Sequence, residues 1–232
     1  MKVRKVLRPA LLATLPVMTG YLVLGFGFGL VLDDAGGNVG LALAMSGFIY
    51  AGSMQYVAID LLTGGASLLS AALMTLMVNA RHLFYGVSML EKYRGMGVAM
   101  PYLIFALTDE TYSLLCQDAL PVPPESRKAY FLLVSVFDHL WWLTGTLLGA
   151  AAGTVLTFST EGVDFALTAL FVTVLVEQWL TAEDRVPAMI GCAASLLCLI
   201  LFGAADFLIP AMLLIALLLC LYTDGRRVKR DE

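Results

Sequence analysis

Charge is what this sequence has little of. Asp, Glu, Lys and Arg make up 14% of its 232 residues, hydrophobic residues make up 60%, and the mean hydropathy is +0.86. A soluble domain of this length needs far more polar surface, so the composition excludes that class and indicates an all-α, polytopic integral membrane protein. Histidine is nearly absent, with two residues, and the four cysteines stand in apolar stretches without CxxC or Cys/His spacing. That excludes a disulfide frame and a metal centre and leaves the cysteines as small hydrophobes. HExxH, GxSxG and Walker sequences are also missing. No catalytic residue, enzyme activity, cofactor or nucleic-acid partner is therefore expected; coupling to an ion or proton gradient is the default over ATP. The glycine run 25–29 (GFGFG) lies mid-helix with no preceding strand, so it is not a phosphate cradle.

Apolar segments are present instead, at roughly 10–32, 41–62, 67–90, 98–117, 128–153, 164–180, 186–204 and 207–222. This gives a basic tail (1–9), one membrane domain (10–222, with halves at 10–118 and 128–222) and a tail (223–232). Lys2, Arg4, Lys5 and Arg8 precede the first segment, and Arg226, Arg227, Lys229 and Arg230 follow the last. The positive-inside rule puts both termini in the cytoplasm of a plasma (inner) membrane protein, with an even number of crossings. No small-x-small cleavage site interrupts the first segment, so it reads as an uncleaved helix. Asp33 and Asp34 suit an outside loop, as do Glu161 in the tract 154–163 and a tight turn at Asp206; 121–128 (PVPPESRK) and 181–186 suit the inside.

One loop disagrees. Lys92 and Arg94 fall in 91–97 (EKYRGMG), which eight full crossings would put outside. Either the charge bias is weak there, or segment 2 is re-entrant, its polar middle Tyr50–Gln55 resembling a discontinuous transporter helix. A re-entrant segment 4 would keep the parity even. About eight membrane segments are expected, at least one broken. A weak internal repeat aligns Phe48, Gln55 and Tyr56 with Phe171, Gln178 and Trp179; biased composition could produce the same identities.

Function is sought where charge enters lipid. Arg81 stands mid-segment with Asn79 and His82, and a cation there costs a few kcal/mol, so it must face a partner or a wet cavity. On a continuous helix Asn79 and His82 are neighbours. Arg81 would hold a carboxylate through its fork geometry, with His82 titrating near neutrality; the alternative is a permanent pair with an acid that fixes packing. Three polar groups exceed what one such pair needs, which favours the first reading. Asp109 and Glu110 interrupt segment 4 (TDET, 108–111) and could hold an ammonium, counter Arg81 or load a proton; alternatively they form a hairpin tip in water. Asp138 and His139 suit a proton relay, but interfacial placement beside an aromatic belt of Trp141 and Trp142 is slightly preferred. Gln55, Ser53 and Gly52 would offer ligand groups if segment 2 unwinds. Asp60 and Glu177 read as solvated caps. Gly25/Gly29 and Gly145/Gly149/Gly153 fit small-xxx-small helix contacts.

Together, Gly20-Tyr21 with Leu24-Gly25, MSGFIYAGSMQY (45–56), VNARHLFYG (78–86), LTDETYSLL (107–115), FDHLWWLTGTLLG (137–149) and DFALTALFV (164–172) resemble the AzlC family of branched-chain amino acid permeases. The resemblance runs in order through nearly the whole chain. It implies the large subunit of an exporter of valine, leucine and isoleucine, working with a small AzlD-type membrane subunit. Joined to the residue reading, it predicts Arg81, Asn79, Gln55 and Ser53 as substrate-binding, with the side chain against Met54 and Phe84. Asp109, Glu110 and His82 would bind the ammonium or couple protons. Rival readings are a non-transporting membrane scaffold and a passive channel for small polar solutes.

Overall fold

The computed structural model describes residues 2–117, 119–155, 172, 175–176, 179–180 and 184–228. Every regular element among them is helical. The tract 154–163 beyond Val155, segment 164–180 apart from 172, 175–176 and 179–180 (so the repeat partners Phe171 and Gln178, and Glu177), 181–183 and the last tail residues lie outside the described residues. The chain divides into two compact units, Met1–Leu167 and Thr168–Glu232.

The first unit is built on α1 (Lys2–Asp34) and α8 (Arg127–Val155), with six shorter helices between them: α2 (Val39–Phe48), α3 (Gly52–Thr63), α4 (Leu68–Val78), α5 (Ala80–Tyr93), α6 (Met100–Phe105) and α7 (Asp109–Leu115). At 1.5 Å per residue, α1 is about 50 Å long and outreaches the hydrocarbon core. Helices α1 and α8 run parallel, because Gly145 lies on Tyr21 and Leu22, Gly149 on Phe26, and Gly153 on Asp33. A Cβ on Gly25 would stand 2.8 Å from the Trp142 carbonyl oxygen. The small-residue stripes read from the sequence are thus the contact that lets the two backbones touch.

Segment 2 does not cross. Helix α2 comes in from the Asp33 end and reaches the middle of α8, where Ser46 Oγ is 2.9 Å from Thr146 Oγ1. The chain turns at Tyr50, held at φ +44, and α3 goes back: Gly52 meets the Trp142 ring, Tyr56 donates to the Leu24 carbonyl, and Ile59 packs with Phe28 and Leu32. Helix α4 starts again from that end. Helix α5 continues to the opposite end, where Met89 and Tyr93 pack with Val6 and Ala10.

Segment 4 is a second hairpin, entering from the other end. Leu103 of α6 and Leu115 of α7 share the core around Val6, whereas the connection at Ala106–Thr108 reaches Tyr21 and the middle of the unit. The disagreeing loop is thereby explained. Lys92 Nζ donates to the carbonyls of Cys116 and Gln117, and Gly97 lies beside Lys128. Lys92, Arg127 and Lys128 therefore stand at the same end as the start of α1, as the positive-inside rule asks once segment 2 is re-entrant.

Segment 3 departs from the expected continuous helix. It breaks at Asn79 (φ −95°, ψ 5°), a residue type whose side chain competes for backbone groups.

In the second unit, α9 (Val186–Asp206) and α10 (Leu208–Val228) pack together across the tight connection at Phe207. Asp184 accepts from Val186 N–H at 3.1 Å and from Tyr222 Oη at 2.8 Å, pinning the open end of this hairpin. Three helical spans among the described residues are long and apolar enough to cross a membrane: Lys5–Asp34, Pro124–Val155 and Val186–Gly203.

Candidate functional site

Three chain breaks converge at the middle of the first unit: Ile49–Ala51, Asn79 and Ala106–Thr108. They lie around Tyr21 of α1 and the stretch 138–142 of α8. Each break frees backbone groups that a continuous helix would satisfy, so polar side chains gather there.

The break at Asn79 places Arg81 in the first turn of α5. Its Nη1 lies 2.6 Å from Asp109 Oδ2 in the first turn of α7, and its Nη2 donates to Ser53 Oγ of α3 at 3.3 Å. Arg81 and Asp109 keep 42% and 35% of their side-chain surface exposed, so the pair is accessible on one side. The first turns of α3 and α5, at Ala51 and Asn79, lack side-chain caps. Asp109 Oδ1 is buried without a hydrogen bond. His82 does not reach the pair. Its Nδ1 is 3.2 Å from the Asn79 carbonyl oxygen, and its ring abuts Tyr85.

Glu110 turns inward from Asp109. It accepts from Tyr21 Oη at 2.7 Å, and the same hydroxyl is 2.7 Å from Thr108 Oγ1. Thr108 caps α7 by accepting from Thr111 N–H, and Thr111 Oγ1 donates to Asp138 Oδ2 at 2.8 Å. Asp138 is fully buried, its Oδ1 unpartnered.

That burial corrects the interfacial reading of Asp138, His139 and Trp142. Trp142 is also buried and donates to Gln55 Oε1 at 3.0 Å. His139 lies under Tyr50 at 4.1 Å between ring centres, with Nε2 3.1 Å from the Ser46 carbonyl and Nδ1 3.3 Å from Tyr102 Oη. The stack holds Tyr50 in its left-handed conformation, an arrangement that a bulky residue adopts only when its surroundings impose it.

Of the predicted residues, Arg81, Ser53 and Asp109 come together directly, Glu110 is next to them, and Asn79 and His82 form the adjoining break. Gln55 is set apart: it is fully buried, with Nε2 donating to Ser46 Oγ at 3.0 Å and Oε1 taken by Trp142. Met54 is buried and Phe84 is 75% exposed, so they do not share a pocket wall. Asp60 is exposed, as a cap would be. Sequence reasoning missed Tyr21, Ser46, Tyr50, Thr108, Thr111 and Thr146. All six stood inside motifs already singled out, which was the available signal. Among the described residues, no group of three or more His, Cys, Asp and Glu could hold a metal ion.

Parallel long helices, two opposed hairpins and an ion pair at their meeting point define a polytopic all-α membrane protein. The chain belongs to the AzlC family: the AzlC protein family matches it over residues 16–156. It is 42% identical to the branched-chain amino acid transport protein AzlC of Bacillus subtilis (strain 168), over 90% of this chain and 82% of that protein. An uncharacterized membrane protein of Helicobacter pylori (strain 26695) is 38% identical over 94% of this chain and 95% of its own length. The inner membrane protein YgaZ of Escherichia coli (strain K12) is 28% identical over 87% of this chain and 82% of its own. No solved structure matches the chain.

Proposed function

We propose that this protein exports branched-chain amino acids such as valine, leucine and isoleucine across the plasma membrane, coupled to protons, with both termini in the cytoplasm. The observation that carries the reading is the Arg81–Asp109 pair, open on one side where three helix breaks meet. A zwitterion fits such a pair by insertion. Its carboxylate takes the Arg81 fork, with Ser53, Asn79 and the uncapped first turn of α3 supplying further donors. Its ammonium takes Asp109, so neither protein charge is left unpaired when the pair opens. Glu110 and His82 are the groups beside this site through which a proton would couple. Gln55 positions α3 by bridging Trp142 and Ser46 rather than touching the ligand. The substrate preference draws support from the Bacillus subtilis relative, and a small AzlD-type membrane subunit is the partner this reading calls for.

A scaffold subunit would bury and seal its charges; the exposure of this pair argues against that rival. The test is valine efflux from cells loaded with a valine-containing dipeptide. Arg81→Ala, verified as inserted and expressed, should lose efflux; export at the normal rate would sink the assignment.

A further inference from the structure

Glu110 and Asp138 are joined by an unbroken run of hydroxyls. The links are Glu110 Oε2–Tyr21 Oη (2.7 Å), Tyr21 Oη–Thr108 Oγ1 (2.7 Å), Thr108 Oγ1–Thr111 Oγ1 (3.1 Å) and Thr111 Oγ1–Asp138 Oδ2 (2.8 Å). Tyr21, Thr108, Thr111 and Asp138 are all buried, so no bulk water substitutes for a missing link. Four links need four protons, and Tyr21, Thr108 and Thr111 bring three. With both carboxyls ionised, one buried link has no hydrogen. One added proton completes the run, and it can sit at either end.

We infer that Tyr21, Thr108 and Thr111 form a proton relay that shares a single proton between Glu110 beside the ion pair and Asp138 in the core. With Glu110 protonated, Glu110 donates to Tyr21, Tyr21 to Thr108, Thr108 to Thr111, and Thr111 to the Asp138 carboxylate. Each oxygen then passes its proton one step onward. Four O–H bonds break and four form; one proton has left Glu110, Asp138 is neutral, and the negative charge has moved to Glu110. The run now points the other way, every link again filled, and the hydroxyls must rotate back before the next transfer. The Thr111 N–H bond to Thr108 Oγ1 persists in both states, since that oxygen accepts once from the backbone and once from the run.

The surroundings suit a shared proton. Asp138 faces Tyr50, Tyr102 and Tyr130, and Glu110 faces Tyr50 and Tyr85 besides Tyr21. The Tyr50 hydroxyl approaches Tyr21 without hydrogen-bond geometry to any group, so it does not divert the run. Asp109 is taken by Arg81, and His139 by Ser46 and Tyr102. Two carboxyls coupled this way titrate as one system rather than as separate sites. The relay stands on the hydrogen bonds alone; its use in export rests on the function proposed above.

The experiment is infrared difference spectroscopy of the purified full-length chain through a pH titration, reading the protonated-carboxyl C=O band. In the native protein the Asp138 band should shift in frequency and midpoint in Glu110→Gln, and the Glu110 band likewise in Asp138→Asn. Glu110 also acts on Asp138 through space, so in a Thr111→Val background Glu110→Gln should shift the Asp138 band clearly less than with Thr111 present; Thr111→Ser should restore the full shift. Ser113→Ala, a hydroxyl outside the run, should change nothing. If Thr111→Val does not fold, Tyr21→Phe cuts the run one link away. Bands that titrate independently in the native protein overturn the relay, as does coupling that neither cut diminishes. In proteoliposomes that also hold the small AzlD-type subunit, valine accumulation driven by a pH gradient should fall in Thr111→Val to the level reached without a gradient, and return in Thr111→Ser. Intact infrared coupling without valine transport would refute the proposed substrate and leave the relay standing. Valine transport with independent bands would refute the relay alone.

Discussion

Arg81 Nη1 and Asp109 Oδ2 lie 2.6 Å apart although their helices enter the unit separately, one from a broken crossing and the other from a re-entrant hairpin. The pair ties two of the three breaks together, and its exposed side is where a ligand can exchange with it. Because both groups are about one-third exposed or more, their mutual attraction contributes only about 0–1 kcal/mol to stability. A brace and a binding site therefore predict different outcomes. Arg81→Lys keeps the charge and loses the fork. It should leave the melting temperature in detergent nearly unchanged while valine efflux drops at least about tenfold, the equivalent of ~1.4 kcal/mol of binding. A parallel fall in stability and efflux would indicate a brace.

Gln55 supplies the reverse case. Removing its amide in Gln55→Ala strands the Trp142 indole N–H in the interior, while the Ser46 hydroxyl loses one partner and keeps Thr146, at a cost of about 1–3 kcal/mol. Thermal unfolding should show that loss. The KM for valine in the protein that remains folded should not change; a raised KM with unchanged stability would put Gln55 at the ligand.

Much of this arrangement was legible in the sequence, and the parts that were not share a cause. The polar, glycine-containing stretch around Tyr50 and the acidic TDET run conflict with a continuous apolar helix, so both hairpins left a local trace. The loop at Lys92 and Arg94 left a second trace as a charge on the wrong side. Asn79 gave no such sign of a break, because one Asn without Gly or Pro is compatible with a helix. Tyr21, Thr108 and Thr111 were invisible as a group. A lone hydroxyl in an apolar helix usually bonds back to its own turn, as Thr144 does to Leu140. Only the tertiary contact of α1, α7 and α8 aligns these three into a run. Asp138 and Trp142 misled for the same reason: a polar–aromatic cluster reads as an interface unless a hairpin tip is known to cover it.

The close approach of α1 and α8 makes a steric prediction. A Cβ on Gly149 would overlap the Phe26 backbone, whereas one on Gly20 meets nothing within 4 Å. Gly149→Ala should thus destabilise by about 1–3 kcal/mol, as overpacked contacts do, while Gly20→Ala should be near neutral. Melting of the two variants in the same detergent decides it. Equal melting would mean that the helices are not in backbone contact.

Tyr50 separates ring from hydroxyl. Its ring stacks on His139, but its hydroxyl is buried without a hydrogen bond. Tyr50→Phe should therefore be neutral or slightly stabilising. Tyr50→Ala opens a cavity and releases the strained turn, costing on the order of 3–5 kcal/mol if the site cannot collapse. Unfolding curves that rank Phe below Ala would contradict the described stack.

The two hairpins also fix sidedness. If segments 1 to 4 each crossed fully, the α3–α4 turn at Ala66 would lie on the side of the N-terminus and Arg94 on the far side. With segment 2 re-entrant, α4 starts from the Asp33 end and α5 finishes beside Val6, which reverses both positions. Ala66→Cys and Arg94→Cys, introduced singly after replacement of the four native cysteines, report this directly. An impermeant maleimide should label position 66 only from the side opposite the N-terminus and position 94 only from the same side. The opposite pattern would require segment 2 to span the membrane, and would separate Ser53 from Arg81 by undoing the hairpin that brings them together.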